Sequence, residues 1–133
     1  KLANVIHNLS PDFEWYSLQM QVSDADKHLI DSTSHLTHFG TSIGDFAETA
    51  ALCTVLDAVV CVDTSIAHLC GSIGQPVHLL LGYTADSRWH ADGDTTPWYA
   101  AMRIYRQEPD RCWNRPMQRA ISEIKASHTY RLN

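Results

Sequence analysis

The sequence predicts an α/β fold with a mainly parallel sheet and flanking helices. Three observations predict it. Short apolar runs alternate with helix-patterned segments along the 133 residues. The run Ala58-Val59-Val60-Cys61-Val62 is apolar throughout, as in a parallel strand covered on both faces. Residues 58–81 read strand, helix, strand with very short connections, a unit whose crossover is expected to be right-handed.

The elements follow in chain order. Leu2 to Leu9 has apolar residues at 2, 5, 6 and 9 and reads as a short helix ended by Ser10-Pro11. Glu14 to Met20 reads as a strand, Ser23 to Ile30 as a loop or short helix, and Leu36 to Phe39 as a short strand before Gly40. Asp45 to Leu56 is the clearest helix. Asp45 suits the N-cap, Glu48 completes a capping box, and Phe46, Thr49, Ala50, Cys53 and Leu56 form one buried stripe. Asp63-Thr64-Ser65 breaks the next strand, and Ile66 to Ile73 is a compact helix. Ala67 and Gly71 permit close packing, and Gly74 then Pro76 end it. Val77 to Leu81 is a second apolar strand, ended by Gly82. Residues 83–99 form a long polar and aromatic loop of the kind that carries function. Ala101 to Arg106 alternates as a strand. Pro116 to His128 is a closing helix with Pro116 in its first turn and Met117, Ala120, Ile121 and Ile124 inward.

Composition narrows the function classes. The length is that of one domain, read over residues 1–133, and 44% hydrophobic residues suffice for a core. Ten Lys and Arg against 15 Asp and Glu give a charge of −5, which argues against a nucleic-acid surface. No apolar run approaches the roughly 18 residues of a membrane span. The N-terminus shows no signal-peptide pattern, and the chain starts at Lys1 without Met, as a piece of something longer does. Cys53, Cys61, Cys70 and Cys112 include no C-x-x-C pair and read as free thiols of a reducing cytoplasm. His35 and His38 form H-x-x-H, but no Cys or carboxylate set accompanies them, so no metal site is expected. There is no G-x-G-x-x-G, no phosphate-binding G-x-x-x-x-G-K-[ST], and no G-x-S-x-G.

In open parallel sheets, ligands bind beyond the carboxyl ends of the strands. Two such ends are marked here, Asp63-Thr64-Ser65 with His68 one turn on, and Gly82-Tyr83-Thr84. At the first, a helix follows the strand at once. Unpaired N–H groups of residues 65 to 67 and the helix dipole then suit a phosphate or diphosphate. Thr64 and Ser65 add hydroxyls, and His68 could donate a charge-assisted bond. Asp63 would repel phosphate and is expected to brace the turn by accepting backbone N–H bonds. The alternative is that Thr64 or Ser65 only caps the helix and His68 packs. In the long loop, Arg88 suits a phosphate, and Trp89, Trp98, Tyr83 and Tyr99 suit sugar faces or bases. Alternatively Trp89 and Trp98 fold the loop onto the domain.

The blocks D-F-A-E-T-A-A-L, L-D-A-V-V-C-V-D-T-S-I-A-H-L-C-G-S-I-G-Q-P-V-H-L-L-L, S-R-W, T-P-W-Y and M-R-I-Y-R-Q, from Asp45 to Gln107, resemble the C-terminal part of family 9 (heptosyltransferase-like) glycosyltransferases. With Y-S-L-Q at 16 to 19, the chain is most similar to bacterial members fused to tetratricopeptide repeats. The resemblance covers roughly residues 14 to 125. It implies a Rossmann-like C-terminal domain of the GT-B architecture that binds a nucleotide-diphospho-sugar donor without metal or other cofactor. It matches Asp63, Thr64, Ser65 and His68 to the donor-diphosphate segment, and puts Ser17 and Gln19 where such proteins contact the nucleotide; Gly82, Tyr83, Arg88 and Trp89, from the second strand end and the long loop, are the further candidates for nucleotide or sugar contact. The chain carries Ser65 where the family often has Gly or Ala, Met20-Gln21 where Lys-Gly is common, and Ser87 in place of the Trp of D-W-R-W. By the same resemblance the first strand, the acceptor domain and the catalytic base lie outside this chain. Transfer of a hexosyl or heptosyl group would then belong to the parent protein and not to this chain alone. A missing strand would expose a sheet edge and predicts homodimers by edge pairing. The rival function is a non-catalytic nucleotide-binding or interaction domain of a repeat protein.

Overall fold

The computed structural model describes residues 5–131 and is α/β, with parallel strands and helices packed on them. It divides into two compact units, Lys1–Thr49 and Ala50–Asn133. Residues 2–4 of the first expected helix lie outside the described residues. Val5 and Ile6 are helical, and the chain turns at residues 7–8.

In the first unit, β1 (Trp15–Ser17) and β2 (Leu36–His38) pair in parallel, with Tyr16 opposite Thr37. Between them runs α1 (Asp24–Ser32). This segment resolves as helix because the Ser23 side chain accepts from the Asp26 N–H at 3.2 Å, and Asp24 and Asp26 favour the positive helix start. The expected strand from Glu14 to Met20 shrinks to three residues. Gly40 explains where it stops: a Cβ there would meet the Gln19 carbonyl oxygen at 2.0 Å, so the chain after β1 is crossed at close range. α2 (Phe46–Val55), of which only residues 46–49 belong to this unit, starts as the capping pattern predicts. Asp45 accepts from the Glu48 N–H at 2.8 Å, and Glu48 reaches back to the Gly44 N–H at 2.6 Å. Thr49 and Cys53 of the expected stripe are buried, but Phe46 is 57% exposed. It is the first helical residue, and the buried stripe begins one turn later.

The second unit holds β3 (Val59–Val62), α3 (Ser65–Ser72), β4 (Val77–Leu81), β5 (Met102–Arg106) and α4 (Asn114–Arg131). The strands lie in the order β3-β4-β5, all parallel, with Val59 opposite Val77 and Val77 opposite Met102. The strand covered on both faces is β4, buried at every residue, whereas β3 grades from buried Val59 to exposed Val62. The two apolar runs look alike in sequence. Position in the sheet separates them, because β4 is central and β3 lies at its edge. α3 packs on β3 and β4, and α4 on β4 and β5. Gly74, at φ 75°, closes α3, with its N–H on the Gly71 carbonyl and the Gln75 N–H on the Cys70 carbonyl. α4 starts two residues before Pro116. It buries Pro116, Met117, Ala120 and Ile121 and leaves Ile124 half-buried. No described helix is long and apolar enough to cross a membrane.

Candidate functional site

The strand-to-helix junction at β3–α3 opens to solvent, with Asp63, Thr64 and Ser65 all exposed. Thr64 occupies the N-cap in extended conformation, but its side chain caps nothing; its hydroxyl donates to the Val62 carbonyl at 3.3 Å. The first-turn N–H groups of Ser65 and Ile66 are therefore left for another acceptor. The Ala67 N–H, expected to be unpaired, donates to the Thr64 carbonyl at 3.0 Å. Asp63 does not brace the turn as expected. No backbone N–H bond to its carboxylate exists among the described residues, and its charge instead acts on Arg88.

The long loop folds back over this junction. Its 3-10 turn, Ser87–Trp89, begins where Asp86 accepts from the Arg88 N–H. The Asp86 carboxylate then takes the Arg88 guanidinium twice, Nε to Oδ1 at 3.0 Å and Nη2 to Oδ2 at 3.2 Å. The same guanidinium holds the Asp86 carboxyl below its ordinary pKa range, chiefly through that side-chain bond. Arg88 Nη1 lies 3.3 Å from His68 Nε2. Arginine can only donate, so Nε2 accepts and the ring proton sits on Nδ1. That nitrogen lies 3.0 Å from the Tyr99 hydroxyl. The His68 ring stacks on Trp89, with centroids 5.3 Å apart. Trp89 is wholly buried. The expectation of an exposed Trp89 face is corrected: it forms the wall behind the histidine and folds the loop onto the unit, because its large apolar area is removed from water there.

The sequence offers Tyr99 as a surface for sugar faces or bases and not as a partner of His68, although a signal for that seat exists. Gly71 follows His68 by three residues on α3, and a Cβ there would lie 2.5–2.8 Å from Cγ and both Cδ atoms of the Tyr99 ring. The ring occupies the space that the missing side chain leaves. Arg106 clamps the loop from β5, donating to the carbonyls of Trp89, Asp92 and Gly93. That clamp offsets the strain of His90, which closes the 3-10 turn at φ 60°.

The remaining sequence candidates stand elsewhere. Tyr83 is half exposed, and its N–H donates to the Gln107 side chain at 3.1 Å. Gly82 has room, since a Cβ there would meet nothing nearer than 3.7 Å. In the first unit, the Ser17 hydroxyl lies 3.2 Å from His38 Nδ1, and Gln19 donates to the Gln21 carbonyl. All four cysteines are free, and burial pushes the Cys61 and Cys70 thiols up to about 12. No group of three or more His, Cys, Asp or Glu among the described residues is placed to hold a metal ion.

The junction therefore gathers a helix start with free N–H groups and a guanidinium fixed in place, an arrangement suited to a phosphate or diphosphate. Comparison with known proteins places the chain in a family. The family described as Glycosyltransferase family 9 (heptosyltransferase) matches residues 43–120, more than half of the chain. Protein FlbA of Caulobacter vibrioides is 28% identical over 81 residues, 61% of this chain and 13% of that protein. The chain thus spans a small part of that relative's length. No solved structure is significantly similar to the chain.

Proposed function

The chain belongs to glycosyltransferase family 9, and we propose that it is the part of such an enzyme that binds the nucleotide-diphospho-sugar donor. The observation that carries this reading is the contact of Arg88 Nη1 with His68 Nε2 at 3.3 Å. It ties the cation of the loop to the helix whose first-turn N–H groups stand free. In this reading the Ser65 hydroxyl and the N–H groups of Ser65 and Ile66 hold the diphosphate, and the Thr64 hydroxyl turns from the Val62 carbonyl to join them. Arg88 supplies the positive charge, and Asp86 fixes its orientation. His68 positions Arg88 and does not itself donate to phosphate, because its Nε2 is occupied as an acceptor. Asp63, whose charge acts on Arg88, limits the net positive charge at the rim.

During transfer, the bond between sugar and nucleoside diphosphate breaks and negative charge grows on the departing phosphate. Preorganised N–H dipoles and a guanidinium stabilise that charge more than they stabilise the bound donor. The acceptor and the group that takes its proton belong, in this reading, to other parts of the whole protein, where a hexosyl or heptosyl unit is passed on. Ser17, Gln19, Gly82 and Tyr83 remain candidates for the nucleoside or sugar.

Calorimetric titration of the chain with UDP, GDP and ADP, with and without EDTA, tests this. Saturable, EDTA-insensitive binding of one of them, lost in Thr64→Ala and His68→Ala without a matching drop in Tm, is the expected result. Silence toward all three at millimolar nucleotide overturns it.

A further inference from the structure

Trp98 stands out beside this rim. It is 66% exposed, the most exposed large aromatic among the described residues, yet it is tethered to its loop. Its indole N–H donates to the Arg88 carbonyl at 3.2 Å, and its backbone N–H donates to Oγ1 of buried Thr96 at 3.3 Å. The next residue, Tyr99, is seated against Gly71 and bonded to His68. Two adjacent anchors thus hold the indole next to the residue whose guanidinium faces the rim. An exposed tryptophan that only covered its own loop would bury its ring. This one spends both N–H groups on the protein and leaves a π face to solvent.

We propose that Trp98 is the platform on which the nucleobase of the donor stacks; this rests on the donor-binding reading above. A sugar face would leave hydroxyls to satisfy, and the indole N–H that could meet one is already spent on Arg88. A planar heterocycle asks only for a flat, polarisable partner. Stacking of this kind tolerates every base, since each has a π face. Trp98 therefore contributes affinity for the nucleoside half while Arg88 and the helix start hold the diphosphate half.

The test compares inorganic pyrophosphate with UDP, GDP and ADP on the wild-type chain, Trp98→Ala, Trp98→Phe and Arg88→Ala. Trp98→Ala should weaken the best-bound nucleoside diphosphate by about 5- to 100-fold, the range of one base–aromatic stack. It should change pyrophosphate affinity less than about twofold, with Trp98→Phe recovering most of the loss. Arg88→Ala should weaken both ligands. An unchanged nucleoside diphosphate affinity in Trp98→Ala overturns the platform while leaving the diphosphate site intact. Equal loss for both ligands also overturns it and makes Trp98 a brace for Arg88. A wild-type chain that binds neither ligand, or an Arg88→Ala variant that binds both normally, overturns the donor-binding reading itself.

Discussion

His68 and His78 each set Nδ1 against a tyrosine hydroxyl, at 3.0 Å from Tyr99 and 2.7 Å from Tyr105. Each also stacks on an aromatic ring, Trp89 for the first and Tyr105 for the second. Beyond that the two regions diverge. The His68 pair lies at the solvent-facing end of the sheet and leads to an exposed guanidinium. The His78 pair lies inside, on β4 and β5, with His78 and Tyr105 both buried. It leads to a carboxylate, since the Tyr105 hydroxyl donates to Glu123 at 2.9 Å and Arg103 pairs with the same carboxylate. With the Tyr105 proton spent on Glu123, His78 donates from Nδ1. The lesson is that a histidine–tyrosine pair has no fixed role. The group at the end of the chain and the access of water decide whether it positions a cation or satisfies a core.

Arg88→Ala is the sharpest way to break the comparison from the rim side. It should lower nucleoside diphosphate affinity about tenfold or more, because a charged donor is lost. Tm should move by roughly a degree at most, since exposed ion pairs contribute little to folding. Differential scanning and titration on the same sample check both. The mirror-image change is Tyr105→Phe. It leaves the buried His78 N–H without an acceptor, at a cost of about 1–3 kcal/mol, so Tm should fall by several degrees with nucleotide affinity unchanged. Gly71→Ala tests whether the rim pair depends on its seat. The new methyl meets the Tyr99 ring; overpacking costs about 1–3 kcal/mol, offset by about 1 kcal/mol of helix propensity. Stability should fall by up to about 2 kcal/mol, while nucleotide affinity falls several-fold as Tyr99 leaves His68.

The smallest effect is one of pH. Burial lowers the His78 pKa, with Glu123 opposing and Arg103 assisting. A lowered folded value means that the unfolded chain takes up the proton first. The stability that neutral His78 contributes is therefore present above about pH 6.5 and lost as pH falls through the folded value. Thermal melts from neutral to mildly acidic pH should show this limb in the wild-type chain and a shallower one in His78→Phe. Equal limbs would remove His78 from the acid response.

Much of this was legible along the chain. The capping residues around Asp45, the break at Asp63-Thr64-Ser65 and the Gly74 stop are local signals, read by nearby backbone atoms, and each sits where its chemistry requires. The short helix Asp24–Ser32 was ambiguous because its cap is strong and its apolar pattern weak. Phe46 was misread as buried because a stripe is periodic but does not say where along the helix packing begins. The rim itself was half visible. Thr64, Ser65 and His68 follow from the strand end, but nothing local pairs His68 with Tyr99, thirty-one residues on.

The order of residues alone carries the alternation of strand and helix, the strand end that opens to a helix start, and the family. Those are matters of spacing and local hydrogen bonding. It takes the folded assembly to make β4 and not β3 the covered strand, Trp89 a wall and Trp98 a surface, and to bring Arg88 to His68. Sheet order and loop return bring together residues that are far apart in the chain, and burial is a property of that assembly and not of any residue type.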